Sequence, residues 1–100
     1  MLGLTRRKDE SIIIGDRVEI VVVDSKDGRA LLNISAPEGT PVRLNGLMTP
    51  DRQPWMSRDD SVKIGHDIEV IVTRVGPAKV GLAVGAPPDL TILRKELVLA

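Results

Sequence analysis

The side chains best suited to binding chemistry in this sequence are arginines, and two clusters stand out, Arg6-Arg7 near the start and Arg94-Lys95 near the end. A guanidinium presents a planar fork of donors that fits a phosphate or the edge of a guanine. Other chemistries are poorly provided for. His66 is the sole histidine and cysteine is absent, so there is no set of ligands for zinc and no thiolate or disulfide chemistry. A lone histidine in a turn is expected to face solvent. Asp9-Glu10 and Asp59-Asp60 are adjacent carboxylates, and neighbours on a strand point to opposite faces, which makes them poor acid–base partners. Glycine-rich phosphate loops and nucleophile motifs are also missing, so the expectation is a binding protein, not an enzyme, with no metal and no cofactor.

The elements that must position these arginines are strands. Apolar residues make up 42% of 100 residues, yet Trp55 is the only aromatic, so the core has to be built from Val, Ile and Leu. Stiff β-branched side chains pack well on a pleated surface, and an all-β fold with one compact core follows. Trp55 is expected to pack over the edge of that core, with stacking against a base as the alternative. Lys plus Arg and Asp plus Glu both total 14, so any contact with a polyanion must be local. The sequence contains no apolar run of signal-peptide or membrane-span length, and a cytoplasmic protein is expected.

The chain repeats itself at an offset of 50. Ile14-Gly15-Asp16-Arg17-Val18-Glu19-Ile20-Val21-Val22 lies over Ile64-Gly65-His66-Asp67-Ile68-Glu69-Val70-Ile71-Val72, and Ala36-Pro37 over Ala86-Pro87, without a gap. Ten positions are identical, and most others in the strand regions exchange one aliphatic residue for another. This pattern indicates duplication. Each half reads as five strands. In the first these are residues 2–7, 11–14, 17–23, 30–35 and 42–44, punctuated by Gly15-Asp16, by the hairpin signal Lys26-Asp27-Gly28-Arg29 and by Pro37. The second half repeats the plan, with a hairpin turn at Val75-Gly76-Pro77-Ala78 and a last strand over 90–95. A fifty-residue unit cannot bury both faces of its own sheet, so the two must share a core. The single domain therefore divides into unit 1 (1–44), a connector (45–54) that contains glycine and two prolines, and unit 2 (55–100).

These residues also resemble a known family. The opening Met1-Leu2-Gly3-Leu4-Thr5-Arg6-Arg7, then Glu10, Ile14-Gly15-Asp16 and Ala36-Pro37, is similar in order and spacing to the carbon storage regulator (CsrA/RsmA) family. The second half resembles it from Asp59 through Ile64-Gly65 and Ala86-Pro87 to Arg94. The resemblance implies two interlocked five-strand units in one chain, an intramolecular pseudo-dimer that is monomeric in solution, with the first strand of one unit running beside the last strand of the other. It also implies RNA as the partner, in the form of GGA-containing hairpin loops whose recognition controls translation. Unpaired loop bases are the part of an RNA hairpin that side chains can read.

Carried over residue by residue, the resemblance implies one intact site and one degraded one. The first combines Leu4, Thr5, Arg6 and Arg7 with Leu90, Thr91, Ile92, Leu93, Arg94 and Lys95. In it Arg94 matches the family's key arginine, whereas Leu93 departs from a histidine. The second combines Pro54, Trp55, Met56 and Ser57 with Thr40, Pro41, Val42, Arg43, Leu44 and Asn45. There Leu44 stands in place of the key arginine, Met56 in place of the basic residue, and Pro41 and Pro54 remove backbone donors. Gly3 replaces an aliphatic residue and is expected to loosen the first strand. The alternative expectation is a protein-interaction or antagonist module of the same fold, acting on a regulatory protein partner.

Overall fold

The computed structural model describes residues 1–94 and contains strands but no helix among them. Unit 1 supplies β1 (Leu2–Arg6), β2 (Ser11–Ile14), β3 (Val18–Lys26), β4 (Arg29–Ser35) and β5 (Val42–Leu44). A short β6 (Leu47–Met48) follows. Unit 2 supplies β7 (Trp55–Ser57), β8 (Ser61–Ile64), β9 (Ile68–Val75), β10 (Val80–Gly85) and β11 (Ile92–Arg94).

The strands form two antiparallel sheets, and each mixes the two units. One sheet runs β1-β10-β9-β8-β5-β6 and the other β11-β2-β3-β4-β7. The centre of each sheet is the three-strand meander of one unit, and its flanks are the first and last strands of the other. The units are therefore interlocked. The resemblance implies the first strand of one unit beside the last strand of the other, but the hydrogen-bonded pairs are different. β1 pairs with β10 and β11 with β2, so β1 and β11 are edges of opposite sheets.

The repeat is visible in the backbone hydrogen bonds. Gly15 N–H donates to Thr91 O at 2.7 Å and Gly65 N–H to Pro41 O at 2.8 Å, each crossing between units in the same sense. The tight turns before β2 and β8 match as well, with Asp9 at φ 70° and Asp59 at φ 74°, their amides bonded to Val22 O and Val72 O. Both meanders carry a bulge at the same repeat position, Val23 and Thr73, where an extra residue is inserted opposite the partner strand.

Alternation on these strands fills one core between the sheets. Eight buried positions recur in both units: 12/62, 14/64, 18/68, 20/70, 22/72, 30/80, 32/82 and 34/84. The chemistry changes but the burial does not at 6/56, where Arg6 and Met56 are both buried; burial itself differs at 42/92, where Val42 is buried and Ile92 half-buried. Trp55, expected over the core edge, instead points to the outer face and is 39% exposed, because Met56 takes the inward position of β7.

The connector is only partly a connector. Residues 45–54 include β6, which turns back on β5 through Asn45-Gly46, both at positive φ (50° and 85°). Asn-Gly is the dipeptide that a two-residue hairpin with left-handed central residues favours. Arg52 and Pro54 then offer carbonyls to Ile34 and Leu32, extending the β4–β7 edge.

The turns at the crossover give a paired test of packing. Gly15 and Gly65 share a left-handed backbone (φ 65° and 66°), but an added Cβ would stand 3.1 Å from Leu90 Cδ2 at Gly15 and 3.8 Å from Thr40 Cγ2 at Gly65. Gly15→Ala is expected to cost about 1–2 kcal/mol and Gly65→Ala measurably less, the shared part being backbone strain. Urea unfolding of the two variants checks the order; equal costs would remove Leu90 from the explanation.

Candidate nucleic-acid interface

The two arginines of the candidate site lie at the same short stretch of β2, Arg6 through its side chain and Arg94 through strand register. On β1, Leu2, Leu4 and Arg6 lie opposite the buried Val84, Leu82 and Val80 and share the inner side of the strand, where Arg6 is buried, Leu4 is half-buried and Leu2, at the strand's start, is exposed. On β11, Ile92 and Arg94 lie opposite the buried Ile14 and Ile12. Arg94 is exposed beside Ile12, while Arg6 NH1 donates to the carbonyl of the preceding residue, Ser11, at 3.3 Å. Both side chains thus come from the inner faces of the two sheets where the sandwich ends.

Their roles differ. Arg6 is only 4% exposed: its Nε donates to Thr5 O at 2.9 Å and its NH2 stands 3.7 Å from Glu10 Oε1. Glu10 Oε1 also accepts the Arg7 amide at 2.8 Å, closing the β1–β2 turn. Behind them Ser11, itself buried, donates its hydroxyl to Glu19 Oε2 at 2.8 Å. A buried cation is tolerated when acceptors surround it. Arg6 therefore locks β1 against β2, and Arg94 is the cation presented to solvent.

The remaining predicted residues divide by strand parity. Leu4 is half-buried, and Leu90 and Ile92 pack against the core, so these three form the apolar floor of the seam. Thr5 and Leu93 face the outer side of their sheets, opposite Gly81 and Ile13. Arg7 is exposed in the turn. Lys95 lies outside the described residues. Sequence reasoning passed over Ser11 and Glu19 as members of this network, although both recur in the second half as Ser61 and Glu69.

The second composite site is arranged differently. β6 pairs along the outer edge of β5, Leu44 packs against the core, and Met56 is wholly buried. Asn45 spans the corner: its amide group donates to Asp60 Oδ1 at 3.2 Å and accepts the Ser61 amide at 2.9 Å. Arg43 lies between Lys63 and Met48 in the register. The edge that corresponds to β11 is thus filled by the chain's own hairpin. Among the described residues no three His, Asp or Glu side chains are grouped to hold a metal ion, and no helix is long and apolar enough to cross a membrane.

Units whose first and last strands flank the other unit's three-strand meander define a class of interlocked antiparallel β protein. The chain belongs to the CsrA family, described as a global regulator protein family, whose model matches residues 1–45 and 57–100. It is 50% identical over 53 residues to the translational regulator CsrA of Clostridium botulinum (strain Alaska E43 / Type E3), covering 53% of this chain and 75% of that protein. It is 48% identical over 42 residues to the same-named protein of Lachnospira eligens, covering 42% of this chain but only 58% of that relative's length. A third, from Helicobacter hepaticus, is 32% identical over 74 residues, 72% of this chain and 94% of that protein. No solved structure matches the chain. The stretch between the two family segments holds β6, the hairpin that covers the second site.

Proposed function

We propose that this chain is an RNA-binding post-transcriptional regulator that recognises GGA-containing hairpin loops and controls translation in the cytoplasm, with one working site per chain. The observation that carries the reading is the convergence of Arg6 and Arg94 on residues 11 and 12 of β2 at one seam only. The relatives' name, translational regulator, supports the same reading. Loop bases approach the edges of β1 and β11, the apolar floor of Leu4, Leu90 and Ile92 excludes water, and Arg94 takes a guanine edge or a phosphate.

The interlocked sheets support a monomer, since each unit already completes the other's sheet within one chain. Light scattering of the free protein is expected to give the mass of one chain, 10.8 kDa, and titration with a labelled GGA hairpin to saturate at one RNA per chain. Two RNAs per chain would mean that β6 opens. Absence of a sequence-specific shift at low salt would favour the protein-interaction reading.

A further inference from the structure

At the ends of β3 and β9 remote from the Gly15 and Gly65 turns, one hairpin tip collects cations that the seam does not use. Arg58 and Arg74 line a cleft of about 420 Å³ with Gly28, Thr73 and Val75. Arg29, next to Gly28 and opposite Ser57, holds its guanidinium carbon 5.6 Å from the centroid of the Trp55 ring. Arg29, Arg58 and Arg74 are exposed, and none of them makes an ion pair among the described residues. With Lys26 they equal in number the neighbouring carboxylates of Asp24, Asp27, Asp59 and Asp60, of which Asp24 is bonded to the Ser25 amide and Asp60 to the Ser57 amide and the Asn45 side chain.

The cluster is built once, although the chain is built twice. The counterparts of Arg74 and Trp55 in the repeat are Asp24 and Thr5, so the other tip has neither the full set of cations nor the ring. An exposed indole backed by a guanidinium, beside two unpaired arginines, has the composition of a stacking platform with an electrostatic groove.

We propose that this tip is a second contact for single-stranded RNA, in which Arg58 and Arg74 take successive phosphates and Trp55, supported by Arg29, stacks a base. It rests on the RNA reading only in naming the ligand, because it shares no residue with the seam. A strand leaving a hairpin held at the seam would be its natural occupant.

Trp55 is the only tryptophan, so its fluorescence reports on this tip alone. Titration with a ten-residue oligouridylate, which lacks GGA, is expected to quench it. The logarithm of affinity should fall against the logarithm of salt with a slope of about −1.4, roughly 0.7 for each of the two phosphates held by Arg58 and Arg74. The double variant Arg58→Ala/Arg74→Ala should bring the slope close to zero and weaken binding at least tenfold, with unfolding midpoint unchanged. Arg94→Ala should leave the quench intact. The inference is overturned if no quench occurs, if the double variant binds as tightly as the parent, or if polyglutamate of matched charge quenches equally. Loss of the quench in Arg94→Ala would overturn it too, by moving the oligonucleotide to the seam. Failure of GGA-hairpin binding with the quench retained would instead strike the seam reading alone.

Discussion

Arg94→Ala is expected to weaken binding of a GGA hairpin by about 1–3 kcal/mol, roughly 5- to 150-fold, while leaving the unfolding midpoint within about a degree of the parent. The two halves of this expectation have separate causes. Arg94 is exposed on an edge strand and opposes Ile12 without contributing to the core, so truncation exposes little apolar surface. Its guanidinium is the exposed one of the two that converge on β2, and removing a bidentate fork from a base edge leaves that edge unpaired in the complex. A hairpin shift assay across salt concentrations separates the contributions: truncating a phosphate ligand weakens all RNAs alike and lowers the salt slope by about one, whereas truncating a base ligand lowers the preference for GGA over a mutated loop. Unchanged affinity in Arg94→Ala would sink the assignment.

The reciprocal substitution, Leu44→Arg, sharpens the result. Positions 43 and 44 read Arg-Leu where 93 and 94 read Leu-Arg, so the second half-site has its arginine on the other face of the strand. Restoring an arginine at 44 is not expected to produce a second site, because β6 still pairs along β5 and Met56 still fills the place of Arg6.

The parts of this architecture that are legible in the sequence are those fixed by local rules. The Gly15 and Gly65 turns, the Asp27-Gly28 hairpin and the inward alternation of Val18, Ile20 and Val22 all follow from residue type and spacing, and an ungapped repeat makes each reading twice. What local rules leave open is which unit a strand pairs with. Strand swapping is decided by core burial across fifty residues, and only the family resemblance points to it. β6 is legible in principle, since Asn45-Gly46 is a strong hairpin signal, but Pro50 and Pro54 favour reading a connector. The expected place of Trp55 is wrong by one step of alternation. Choosing Met56 for the interior sends the indole outward, and a large aromatic beside a flexible apolar residue gives no local clue to which is buried. Arg6 is the hardest, because an arginine at the end of a strand reads as solvated unless its acceptors, supplied by Ser11 and Glu10, are already known.

That burial leads to the second large effect, and the repeat supplies its control. Arg6→Ala is expected to destabilise the protein by about 2–3 kcal/mol, lowering the midpoint by roughly 10–20 °C for a domain of this size. The substitution leaves the Ser11 carbonyl without its donor and a void where a long buried side chain lay, and each of these carries a cost of the order of 1 kcal/mol or more. The ion pair itself adds little, since the Glu10 side chain is 39% exposed and its Coulomb attraction is screened. Arg6→Met should behave otherwise. The same chain already accommodates a fully buried methionine at the equivalent position, Met56, against the equivalent meander. Methionine is unbranched and fills irregular space, so Arg6→Met is expected to recover most of the stability that Arg6→Ala removes. It should still bind the GGA hairpin more weakly than the parent, because the polar clasp that fixes β1 against Ser11 is gone. Thermal unfolding and hairpin titration of both variants give four values. The interpretation fails if the methionine variant is as unstable as the alanine one, which would mean that the cation itself is required for folding, or if it binds RNA as tightly as the parent, which would mean that Arg6 does not position the strand.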